Sequence, residues 1–89
     1  MSAGGEKPVV LSRYARERLI LRGATEEEVR ASVRLASWEP ARRGKQHAAH
    51  RFDFAAASPV NGIVYAFKTV DVVFAEEPDR IVVVTVQVY

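Results

Sequence analysis

The polarity of this chain alternates most clearly at its C-terminal end. From Ile63 to Ala75 it is apolar, β-branched and aromatic; Glu76-Glu77-Pro78-Asp79 interrupts; a second such run goes from Arg80 to Tyr89. Two runs of this kind around an acidic segment containing Pro and Asp predict a hairpin. Pro78 fixes its own φ and lacks an N–H, so neither strand can continue through it. In the last strand Val82, Val84, Val86 and Val88 fall on one side, which is expected to be core. Ile81, Val83, Thr85, Gln87 and Tyr89 fall on the other. In the partner strand Val70, Val72 and Phe74 form a dry side against Thr69, Asp71 and Val73.

The N-terminal half follows a helical period. Val9, Val10 and Leu11 lead into Ser12, an N-cap residue for a helix running to about Arg22. Its apolar stripe is Leu11, Ala15 and Leu19, widened by Tyr14 and Leu21. Gly23 ends it, because the position after a helix commonly takes positive φ. Thr25 and Glu28 have capping-box spacing and open a second helix with stripe Val29, Val33 and Ala36, closed by Trp38 and Pro40. The helices are expected near 12–22 and 26–37.

After Pro40 the chain is basic and non-periodic to His47, read as a loop or strand edge. From about Ala49 to Ala56 it alternates, with His50, Phe52 and Phe54 opposite Arg51 and Asp53. Asn61-Gly62 then predicts a tight turn, which makes paired residue numbers sum to 123 and sets Arg51 opposite Val72. The expected fold is α+β: two N-terminal helices packed on a three- or four-stranded antiparallel sheet, in one domain spanning 9–89 behind a mobile tail, 1–8.

Composition narrows the chemistry. With 48% hydrophobic and 27% charged residues, 89 residues suffice for one soluble core. The absence of cysteine rules out disulfides, zinc–thiolate sites and a thiol nucleophile, and suits a reducing cytoplasm. No signal-peptide core or membrane-length apolar run occurs, so the expected setting is cytoplasmic, without a membrane partner. One Asn, two Gln and one Met beside many ionic residues hint at a thermophile. Residues 1–51 carry a net +5 and residues 52–89 a net −3, so phosphate-binding chemistry is sought in the first half.

There, Arg42, Arg43, Lys45, His47 and His50 crowd a short segment, a candidate surface for RNA phosphates or for an acidic partner. His47 and His50 point to opposite faces if the segment is a strand, and no carboxylate cluster accompanies them, so no metal or other cofactor is expected. Trp38 could stack on a base, or plug the end of the helical hairpin.

The segment Ser12-Arg13-Tyr14-Ala15-Arg16-Glu17-Arg18, then Arg22-Gly23-Ala24-Thr25-Glu26-Glu27-Glu28-Val29, resembles the opening of a prokaryotic family of small domains of unknown function. That family reads Ser-x-His-Ala-x-x-Arg, then Arg-Gly-Ile-x-x-x-x-Val; Tyr14 stands here in place of its histidine. Its closing signature is matched by Asp79 to Thr85. The family is similar in fold to the RelE/ParE toxins of toxin–antitoxin systems. The resemblance therefore implies a RelE/ParE-like fold and a toxin-like role on RNA or the translating ribosome, with an antitoxin protein as partner. The competing expectation is a non-catalytic binding or assembly module that forms a homodimer through a sheet edge.

Cleavage of RNA through its 2′-hydroxyl, without a metal, needs a base, a cation over the phosphate and an acid for the leaving group. Arg51, Lys68 and Tyr89 are the catalytic candidates chosen on that chemistry. The plainer alternatives are a cross-sheet ion pair for Arg51, a solvated edge for Lys68 and a frayed end for Tyr89. Arg18, nominated by the family motif, is expected either in a buried salt bridge, with Asp71 as its most attractive partner, or in a catalytic role.

Overall fold

The computed structural model describes residues 7–53, 62 and 67–89. It is α+β, with two helices on one face of a five-stranded mixed sheet. In chain order the elements are β1 (Val9–Leu11), α1 (Arg13–Arg22), α2 (Glu26–Leu35), β2 (Glu39–Pro40), β3 (Gln46–Asp53), β4 (Phe67–Glu76) and β5 (Ile81–Val88). The sheet order is β1-β5-β4-β3-β2, antiparallel except where β1 runs parallel to β5. The expectation of three or four antiparallel strands is corrected at both edges. Val9–Leu11 is a strand rather than a lead-in, and Glu39–Pro40 folds back on β3. Neither segment is long enough to display a period of its own.

The helix signals act locally. Ser12 Oγ accepts from Ala15 N–H at 3.1 Å, and Gly23 ends α1 at φ 77°. Thr25 and Glu28 exchange hydrogen bonds of 3.1 and 2.9 Å, the reciprocal pattern that satisfies two donors at the start of α2. Ala15 and Leu19 of α1 and Val29 and Val33 of α2 are buried on the sheet. Tyr14 and Leu21, expected to widen the α1 stripe, are exposed. Lys7, counted with the mobile tail, instead pairs with Glu76 at 3.0 Å, and Pro8 C=O accepts from Ile81 N–H at 2.9 Å. Residues 1–6 lie outside the described residues.

The expected valine face of β5 is half wrong, and a bulge is the reason. β4 pairs with β5 as Phe74↔Val83 and then Val73↔Thr85, which leaves Val84 as an extra residue. The inward set is consequently Ile81 and Val83 before the bulge and Val86 and Val88 after it, with Val82 and Val84 only half-buried. Val70, Val72 and Phe74 of β4 are buried as expected.

The β3–β4 ladder also departs from expectation. Arg51 pairs with Thr69 and His47 with Val73, so partner numbers sum to 120 rather than 123. Phe54 and the Asn61 turn that suggested 123 lie outside the described residues. Partners across a ladder share a face, so His47, Ala49, Arg51 and Asp53 of β3 stand with Phe67, Thr69, Asp71 and Val73 of β4, on the face opposite the helices.

Candidate functional site

The helix-free face carries a polar cluster across β3, β4 and β5. His47 Nδ1 lies 3.1 Å from Asp71 Oδ1. A carboxylate only accepts, so Nδ1 is the nitrogen that carries a proton towards Asp71. Nε2 is 3.9 Å from Glu39 Oε1, too far for a hydrogen bond. Asp71 is the less exposed partner, with 15% of its side chain accessible against 31% for His47, so the imidazole sits in front and the carboxylate behind it.

Tyr89 closes the other side. Its backbone pairs with Thr69 through bonds of 2.6 and 3.0 Å, which sets its ring on the same face. Partial burial of the phenol raises its pKa above the ordinary value. The nearby charge of Asp71, and a hydrogen bond to that carboxylate, push the same way. At neutral pH the hydroxyl is therefore protonated and donates to Asp71. His47, Asp71 and Tyr89 form a diagonal through one shared carboxylate.

Arg51 stands two same-face positions beyond His47, about 13 Å along β3. Its guanidinium lies over the Phe67 ring at 4.3 Å. Among the described residues the cation meets an aromatic face rather than an acid across the sheet.

Lys68 does not join this group. It is 7% exposed on the helix side of β4, with Nζ 2.9 Å from Glu28 and 2.7 Å from Gly23 C=O. It ties the α1–α2 junction to the sheet, satisfying a carbonyl at the end of α1 while sharing the capping-box carboxylate. Its candidacy for catalysis is corrected by strand alternation, since it neighbours Phe67 in sequence and points the opposite way.

The basic segment is also divided. Arg42 and Arg43 lie exposed in a 3-10 turn between β2 and β3, with Lys45 just after it. Arg43 takes φ 59° and Gly44 φ 72° there. His47 belongs to the open face, whereas His50 turns to the helix side, its ring edge-on to Phe52 at 4.8 Å. Trp38 is a plug: it meets Phe74 edge-on at 4.8 Å, donates to Val33 C=O at 2.7 Å and packs against the core cluster. Arg18 cannot pair with Asp71, which is on the other face of the sheet; it lies 5.7 Å from the Tyr14 ring.

Sequence reasoning did not single out Asp71 or Phe67 for this face. The signal was there, because a charged Arg51 cannot sit opposite a dry Val72 on one face. An even ladder sum was required, and any even sum groups Arg51 and His47 with Phe67 and Asp71.

No cluster of three or more metal-ligating side chains occurs among the described residues, and no helix among them is long and apolar enough to cross a membrane. Comparison with known protein families, curated proteins and solved structures finds no match.

Proposed function

We propose that this chain is a toxin-like, metal-independent endoribonuclease of the prokaryotic cytoplasm that works from the open face of its sheet. The observation that carries this reading is His47, held by Asp71 at 3.1 Å, on the same helix-free face as Arg51 and Tyr89. The three supply the required roles. His47 Nε2 takes the proton of a ribose 2′-hydroxyl, and the 2′-oxygen forms a bond to the adjacent phosphorus. Arg51 leaves the Phe67 ring and extends back along β3 to offset charge on the phosphoryl oxygens. The phosphorus–5′-oxygen bond breaks, and the leaving oxygen takes the proton of Tyr89, giving a 2′,3′-cyclic phosphate and a 5′-hydroxyl. As a toxin-like component the protein would be restrained by an antitoxin. An assembly role through a sheet edge has less support, because the edge strands span three and two residues and one contains Pro40.

Induced expression in a bacterial host, together with RNA cleavage by purified protein in the presence of a chelator, tests the proposal. Growth arrest and cleavage are expected for the wild type. His47→Ala should slow cleavage by roughly 10²-fold or more while the melting temperature stays unchanged. Arg51→Ala and Tyr89→Phe should also impair it. Harmless accumulation with intact RNA would overturn the enzyme and leave the binding module.

A further inference from the structure

Two large aromatic side chains on the open face are largely exposed. Phe67 is 51% exposed and Tyr89 69% exposed. Thr69 pairs with Arg51 on one side and with Tyr89 on the other, and Phe67 is one same-face step further along β4. Phe67 is therefore flanked diagonally by Arg51 and Tyr89, at separations of about 7–8 Å for such pairs. The three form a band across one end of the face, with the guanidinium 4.3 Å from the Phe67 ring. At the opposite end of β3 lie the cations of the Arg42–Gly44 turn and Lys45. From Lys45 to Arg51 the strand covers about 20 Å, so the cations bracket His47 along a single track.

Resting on the reading of this face as the RNA surface, we infer that Phe67 and Tyr89 are stacking platforms for unpaired bases, and that the substrate is single-stranded RNA. Both rings are more than half exposed, and Phe67 already carries the Arg51 cation on one face, while a base inside a duplex has both of its own faces occupied by its neighbours. Cations spaced along β3 suit the backbone of the same strand. Stacking of this kind tolerates any base, so affinity should follow strandedness before sequence.

The test is equilibrium binding of a fluorescent 2′-O-methyl RNA, which cannot be cleaved through its 2′-oxygen, in an unpaired form and as a hairpin of equal length. The wild type should favour the unpaired form by about tenfold. Phe67→Leu should weaken binding of that form by about tenfold and leave the hairpin unaffected, while Phe67→Tyr restores it. Circular dichroism confirms that each variant is folded. Equal affinity for both forms, no binding of the unpaired form, or an unchanged Phe67→Leu would each overturn the platform. The readout is separate from catalysis. Loss of the stacking signature with cleavage intact removes the platform alone; its persistence in a protein that never cleaves supports the platform and removes the chemistry.

Discussion

The two faces of the sheet are made by the same strands and obey different rules. On the helix side, Val70, Val72, Phe74 and Val83 are fully buried, and the one lysine there reaches both a carboxylate and a helix-end carbonyl. A charge is tolerated on that side because its hydrogen bonds are made internally, which makes it structural. On the open side, His47 and Tyr89 meet at Asp71 and Arg51 lies over Phe67, and Arg51, Phe67 and Tyr89 stay exposed. Phe67 and Lys68 are neighbours in sequence, yet the greasy residue is exposed and the charged one buried. Residue type is a poor guide to role within one strand; the face decides.

The comparison breaks first at the bulge. Val83→Asp places a carboxylate in the core and should abolish the cooperative unfolding transition, because the cost of several kcal/mol rivals the total stability of a domain this small. Val84→Asp, one residue on, should remain folded and lose about 1 kcal/mol. Urea denaturation followed by circular dichroism checks the pair, and equal collapse of both variants would mean that β5 has no bulge.

Next comes the contrast of cations. Lys68→Ala leaves Glu28 without its buried partner and should cost about 3 kcal/mol, whereas Arg51→Ala, on the open face, should cost under about 1 kcal/mol. Urea midpoints of the two variants provide the measurement; a reversal of their order would exchange the roles of the faces.

A smaller effect sharpens the open side. Joint replacement of Arg42, Arg43 and Lys45 by Ala should flatten the salt dependence of RNA binding, by a log–log slope of roughly 0.7 per lost phosphate contact on a single strand. Fluorescence titrations over a range of salt would read it, and an unchanged slope would make the turn ordinary solvated surface.

The smallest effect is at Tyr89. Its folded pKa is raised, so the stabilisation it contributes is fully present below the unfolded value of about 10 and is lost as pH rises through the higher folded value. The difference in ultraviolet titration between wild type and Tyr89→Phe should show this phenol ionising above pH 10, approximately, and Asp71→Asn should bring it down. A phenol that titrates at the ordinary value would detach Tyr89 from the cluster.

Much of the architecture was legible in short-range patterns. Ser12, Gly23, Thr25 and Glu28 mark helix ends because capping bonds join residues three or four apart, and Val70, Val72 and Phe74 mark a dry face because strand alternation has a period of two. The candidate site was legible only in pieces. Arg51, His47 and Tyr89 stood out by chemistry, but Lys68 was grouped with them and Asp71 was not.

What stayed hidden depends on pairing over long separations. Ile81-Val82-Val83-Val84 is apolar throughout and contains no alternation, so only the ladder to β4 and the packing of β1 and α1 could set which residues point inward and where the extra one goes. Val9–Leu11 becomes a strand through Ile81–Val83, some seventy positions away, a contact that no local preference encodes. The β3–β4 register follows the same logic: an even sum turns His47 and Arg51 towards Asp71 and Phe67, while an odd sum would set them against the core. Sequence thus named the helices, their caps and the dry face of β4, whereas the assembled sheet alone chose which polar residues meet, because a shift of one position in a ladder moves every side chain to the other face.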